Sequence, residues 1–272
     1  MKKFLAVGLF FVLLIPVLFG AGEKQKSNAE EIVVYWASGN QYAPYCYVDK
    51  SGKDVGYEYE IIAEVDRRLK GYRFEHQVLN GLNVLLNAVD AGTIDLAAHE
   101  IAKNEEREKT YDFSVGYNDA DTYLSVRPGN PNIKTIADLK PNQSLTAFSP
   151  SAQSVYINSY LAENPNAFIP DLISSAEVWF ARLTSPDLFS MIGTKDDNFL
   201  NALKYENYNL VVNEGAVPVS TSKIHMAFKK NNERSTQIRT AVDEALNAMQ
   251  ADGTIAAIKK RTFDEYVESL SK

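Results

Sequence analysis

The sequence predicts an α/β fold, and three observations carry that prediction. Strand-like and helix-like patterns alternate along the first third of the chain, an order that builds an α/β sheet rather than a sandwich or a bundle. Hydrophobic residues make up 45% and aromatics 11% of the 272 residues, enough to fill a core and too much for a disordered or collagen-like polymer. No period of 20–50 residues recurs, which argues against a solenoid.

The chain opens on an address. Residues 1–3 are short and basic, residues 4–19 almost wholly apolar, and Gly20, Ala21 and Gly22 are small. This is the anatomy of a secretory signal peptide over residues 1–22, with cleavage as late as Ala29 also fitting the small-residue rule. The apolar run is shorter than the ~20 residues a spanning helix needs, Pro16 interrupts its end, and no cysteine follows it to take a lipid anchor. Export places the mature protein in the periplasm or an equivalent extracytoplasmic space. Losing Lys2 and Lys3 makes its net charge about two units more negative than the −7 of the whole chain. The roughly 250 residues that remain suit one large domain or two lobes.

The elements follow in order. Residues 31–37 form a β-rich run containing Ile32, Val33, Val34, Tyr35 and Trp36. Residues 57–70 place Ile61, Val65 and Leu69 on one helical face, with Gly71 as a C-terminal cap. Tyr72, Phe74, His76 and Val78 alternate as a half-buried strand. Asn80 is a candidate cap for a helix with the stripe Leu82, Leu85, Leu86 and Val89, ending before Gly92. A short strand over 93–98 completes this part, and the β-α-β-α-β order predicts a ligand at the carboxyl ends of the strands. A Pro/Gly/Asn break at 127–131 precedes strand 144–148. Residues 164–197, rich in Ser, Pro and Asp, read as irregular or as a local insertion, and 208–212 as a further strand. Ile238, Val242, Ala245 and Met249 form a last clear stripe. Asp252-Gly253 stops it, and Thr254 is a candidate cap for a final helix.

Several chemistries are excluded or disfavoured. A single cysteine, Cys46, rules out an intramolecular disulfide and a Cys-based zinc site, and it reads as a small buried hydrophobe with no identifiable histidine partner. The acidic balance argues against nucleic acid. No nucleotide-binding glycine motif, nucleophile elbow or H-E-x-x-H occurs, and His76, His99 and His225 share no metal-ligand spacing. No catalytic residue, metal or cofactor is expected.

One ordered set of motifs rises above background. It runs from Tyr42-Ala43-Pro44-Tyr45 and Gly56-Tyr57-Glu58 through Ala91-Gly92-Thr93-Ile94-Asp95-Leu96 and Glu105-Glu106-Arg107 to Tyr111-Asp112-Phe113-Ser114. It ends on Met249-Gln250-Ala251-Asp252-Gly253-Thr254-Ile255. Together these resemble the family 3 extracellular solute-binding proteins, the polar amino-acid receptors of ABC importers. The resemblance implies a type II periplasmic-binding-protein fold: lobe 1 over 30–121 plus 221–272, lobe 2 over 122–220, and two hinge strands about which the lobes close on a ligand. It implies a monomer that delivers a small polar solute, an amino acid or related compound, to a membrane permease.

The same resemblance places Tyr42 and Leu82 against the ligand side chain, Arg107 on its carboxylate, and Glu214 on its ammonium. Plainer readings stand beside these: a loop aromatic for Tyr42, a core contact for Leu82, a surface arginine paired with Glu105, Glu106 and Glu108 for Arg107. The chain departs from the family where small polar residues usually line the cleft, carrying His99, Glu100 and Ala102 instead. Ser149-Pro150-Ser151 replaces the usual donor turn, and proline has no N–H to give. Glu100 and Glu214 together would suit a cationic ligand. Two alternatives come with the fold: an exported enzyme performing dehydratase-like eliminations on cyclic acids, with His99 and Glu100 as acid and base, or a ligand-sensing module.

Overall fold

The computed structural model describes residues 31–149 and 151–270. The leader at 1–22 and Pro150 therefore lie outside the described residues, and no helix among those described is long and apolar enough to cross a membrane.

The chain lays down β1 (Ile32–Ser38), a small antiparallel meander of β2 (Gln41–Tyr42), β3 (Cys46–Val48) and β4 (Asp54–Val55), then α1 (Tyr57–Arg68) and β5 (Tyr72–Val78). It continues through α2 (Leu82–Ala91), β6 (Leu96–Ala102), α3 (Glu105–Thr110), β7 (Tyr111–Phe113) and β8 (Asn118–Asp119). A second unit follows: β9 (Thr122–Val126), a 3-10 turn at Ile136–Asp138, β10 (Ser144–Phe148), α4 (Ala152–Glu163), β11 (Ile169–Ile173), α5 (Ala176–Leu183), β12 (Ser190–Thr194), α6 (Lys195–Lys204) and β13 (Val211–Val212). The chain then returns as β14 (Lys223–Lys229), α7 (Glu233–Ala251) and α8 (Thr254–Leu270).

Two sheets result. The first has the order β5-β1-β6-β14-β7, with β8 also on β14; β1 runs parallel to β5 and β6, and β14 antiparallel to β6 and β7. Alternation along its strands sends Val34, Trp36, Leu96 and Ala98 to one face, where α1, α7 and α8 cover them, and Ala37, Ala97 and Ile101 to the other, against α2. The predicted helical stripes are the buried ones: Ile61 and Val65 on α1, Leu85, Leu86 and Val89 on α2, and Ile238, Val242, Ala245 and Met249 on α7. Each of the Ile, Leu, Val and Met side chains among them contributes roughly 1.5–3 kcal/mol on burial. The second sheet, β11-β10-β12-β9-β13, closes a separate core around Leu124, Leu145, Ile157 and Ile192.

The sheets are joined twice. Ala120 N–H donates to the Ser222 carbonyl and Thr122 N–H to that of Ser220, both at 2.9 Å, and the Thr122 and Ser220 hydroxyls meet at 2.8 Å. The two crossings are thus a hydrogen-bonded pair of extended segments.

The structure corrects several local expectations. Residues 164–197 are regular, holding β11, α5 and β12. Pro170 is tolerated because β11 is an edge strand, and each element is too short to show a clear period. The strand placed at 93–98 begins at Leu96, since Gly92 turns left-handed and Thr93 N–H folds back onto the Ala88 carbonyl. The strand expected at 208–212 is reduced to Val211–Val212. Asn80 caps nothing; its amide exchanges hydrogen bonds with Asn40, and Gly81 precedes α2. At the start of α8 the Asp252 carboxylate accepts from Thr254 N–H, while the Thr254 hydroxyl accepts from Arg68.

Candidate functional site

A cleft of about 450 Å3 opens between the sheets. Tyr42, Tyr45, Glu100, Ala102 and Arg107 line it from the first lobe, Gln153, Thr194, Asp196 and Asp197 from the second, and Thr122, Ser220 and Ser222 at the crossings. It sits beyond the carboxyl ends of β6, β10 and β12, where an α/β sheet binds its ligands.

Arg107 is set by a short helix. The Asn104 side chain caps α3 by accepting from Arg107 N–H at 2.9 Å, and Arg107 Nη1 donates to the Ala102 carbonyl at the end of β6. Two of its three glutamate neighbours are engaged elsewhere: Glu106 pairs with Lys109 and Glu108 with Lys103. Among the described residues no carboxylate pairs with Arg107, so its positive charge stands in the cleft ready for an anionic oxygen pair.

The opposing wall is acidic. Thr194 and Asp197 form a capping box at the start of α6, the Asp197 carboxylate accepting from the Thr194 hydroxyl at 2.7 Å and Asp197 N–H donating to that hydroxyl at 2.9 Å. Asp196 bridges the lobes, accepting from the Tyr45 hydroxyl at 3.1 Å and pairing with Lys259 of α8 at 2.7 Å.

Behind Glu100 lies a buried carboxylate pair. Glu58, fully buried in the first turn of α1, accepts from the Tyr117 hydroxyl at 2.7 and 2.9 Å and from Glu100 N–H. Burial pushes its carboxyl up to about 7 against the lowering effect of those donors. Burial, and then the Glu58 charge, push Glu100 well above the usual carboxylate range, although Asn118 Nδ2 donates to both its oxygens.

The pattern of the bacterial extracellular solute-binding proteins, family 3, matches residues 34–265. The chain belongs to this family. L-cystine-binding protein TcyK of Bacillus subtilis (strain 168) is 26% identical over 269 residues, covering 97% of this chain and 96% of the relative. L-cystine-binding protein TcyA of the same organism is 29% identical over 286 residues, covering 98% and 99%. Among solved structures, the probable amino-acid ABC transporter extracellular-binding protein ytmK from Bacillus subtilis superposes with a TM-score of 0.72 at 25% identity, over 85% of this chain and 97% of that one. The unliganded, open L-cystine solute receptor of Neisseria gonorrhoeae shares the fold, with a TM-score of 0.69 at 20% identity over 86% and 94%.

This family 3 protein thus has the two-lobed α/β fold its motifs implied, but it gathers only part of the expected site. Tyr42, Glu100, Ala102 and Arg107 converge on the cleft. Leu82 does not; it packs against the core beside Leu85 and Leu86. His99 stands behind the Tyr42 ring, 6.0 Å between centroids, with Nδ1 3.4 Å from Gly39 N and 3.2 Å from Cys46 Sγ. Cys46 thus has the histidine neighbour that the sequence did not reveal, yet burial pushes its thiol up to about 12 and it stays protonated. Burial also lowers the His99 pKa, so the ring is neutral at pH 7. Nδ1 of His99 is engaged by Gly39 and Cys46, and His99 does not line the cleft beside Glu100.

In the second lobe, Ser149 N–H is spent on the Ile173 carbonyl and Ser151 caps α4; Gln153, one turn on, reaches the cleft instead. Glu214 lies in the turn after β13, where Asn213 Nδ2 donates to the Asn130 and Ile133 carbonyls, and it does not line the cleft. The acidic residues that do, Asp196 and Asp197, follow β12. Their signal, an apolar Met191-Ile192 followed by Thr194-x-x-Asp197, stands in the stretch read as irregular.

Proposed function

We propose that this protein captures an amino acid between its lobes and hands it to the membrane permease of an ABC importer, working outside the cytoplasm as a monomer. The lobes, 30–121 with 221–272 and 122–220, close about the paired crossings. The observation that carries this reading is Arg107, a cation in the cleft without a carboxylate partner among the described residues, with Asp196 and Asp197 on the cleft lining of the other lobe. A guanidinium fork matches a ligand carboxylate, and the opposed carboxylates suit its ammonium once closure has expelled water. The relatives' names, L-cystine-binding among them, support an amino-acid ligand and make L-cystine one of the first to test.

Titration calorimetry over the common amino acids and L-cystine is expected to find binding that Arg107→Ala weakens by roughly 10- to 100-fold or more, the loss of a charge-assisted hydrogen-bond pair. Equal affinity in the variant, or no binding by any amino acid, would overturn the reading.

A further inference from the structure

The second lobe holds a side pocket of about 260 Å3 beneath α5 and α6. Gln153 and Asp197 line both this pocket and the interlobe cleft, so the two spaces share a mouth. Part of its wall is aromatic and soft: Phe148 at the end of β10 meets Trp179 of α5 edge to face, 5.8 Å between centroids, beside Tyr208 and Met191. Ser151, Gln153, Asn198 and Asn201 add polar groups to the lining. At its floor Ser125 of β9 is 2% exposed, and its hydroxyl has no hydrogen-bond partner. Asp197 is the one charged side chain on the lining, and no basic side chain lines the pocket beside it.

These features discriminate. An apolar cavity of ~150 Å3 already accommodates benzene, so this space can take an aromatic ring or a long thioether. Sulfur and aromatic groups both pack favourably against aromatic walls. An acidic side chain would meet Asp197 without a compensating cation, and a small one would leave the pocket unfilled.

We propose that the pocket receives the side chain of the bound amino acid and selects a bulky neutral one, aromatic or sulfur-bearing, while its ammonium and carboxylate stay in the cleft. This rests on the amino-acid reading above and names the ligand class within it. A hydrogen-bonding group carried to the pocket floor would also partner the Ser125 hydroxyl, whose buried isolation is unfavourable.

The test is calorimetry with phenylalanine, methionine, alanine and glutamate on the full mature chain and on Ser125→Leu, which fills the pocket and removes the unpartnered hydroxyl. The wild type is expected to prefer phenylalanine or methionine to alanine. In Ser125→Leu that preference should fall by about tenfold or more, a loss of the size a pocket's apolar contacts supply, while alanine affinity changes less than about twofold. Trp179→Leu serves as the second variant should Ser125→Leu melt early, with the same fall expected. Arg107-dependent binding whose phenylalanine-to-alanine ratio is the same in wild type and variants would overturn the side-pocket assignment and leave the amino-acid reading standing. Absence of binding by every amino acid would sink both.

Discussion

Glu58 makes stability depend on pH. A carboxyl raised from its ordinary 4.5 to about 7 holds its proton in the folded chain over a range where the unfolded chain has released it. Stability linked to this group is therefore full below about pH 4.5 and is lost as pH rises through 7, on the order of 3 kcal/mol in all. Glu100, shifted the same way, extends the loss to higher pH. Glu58→Gln should flatten the slope: its carbonyl still accepts from Glu100 N–H and its amide can donate to the Tyr117 oxygen. Thermal melts from pH 5 to 9 are expected to show the wild-type midpoint falling with pH and the variant falling less steeply, the remaining slope coming from buried Glu100; parallel curves would contradict the assignment.

At the scale of elements, the aromatic loop after β1 depends on one glycine. Gly56, at φ 125°, starts α1, and the next two N–H groups donate to the Pro44 and Tyr45 carbonyls. A Cβ there would stand 2.5 Å from the Tyr45 carbonyl oxygen and 2.6 Å from that of Pro44, both backbone atoms with no rotamer to escape by. Gly56→Ala should cost at least ~2 kcal/mol and loosen Tyr42 and Tyr45, lowering both the melting midpoint and ligand affinity. A midpoint equal to wild type would show that the loop yields. The same scale explains what was legible in the sequence. The strand Tyr72–Val78 and the stripes of α1, α2 and α7 were readable because each turns one face inward over enough residues to show its period, whereas Ser144–Phe148, buried on both faces, was readable only as a short run after a break. The elements β11, α5 and β12 were not: they are short, one carries a proline, and several apolar residues of α5 and α6 face solvent, Val178 at 54% and Phe199 at 47%.

The whole molecule is latched across its cleft by Asp196, held by Tyr45 and Lys259 from the other lobe. The pair is partly exposed, so its worth is on the order of 1 kcal/mol, enough for a roughly fivefold shift in an open–closed equilibrium. Lys259→Met should therefore enlarge the ligand-free radius of gyration measured by X-ray scattering; an unchanged radius would mean that the latch does not hold the lobes. The site was half legible for a related reason. First-lobe residues such as Tyr42 and Arg107 sit beside local motifs, whereas Asp196 and Asp197 owe their place to a sheet whose strand order no local pattern reveals. The paired crossings have one more implication. Because Thr122 and Ser220 touch, the second lobe is a continuous stretch of chain with adjacent ends, able to fold once its own residues are present. The first lobe has β14 in the middle of its sheet, between β6 and β7, and must wait for the carboxyl-terminal part of the chain. The long loop this closure spans makes the first lobe the slower to form, so the half that contributes Arg107 is the last to be assembled.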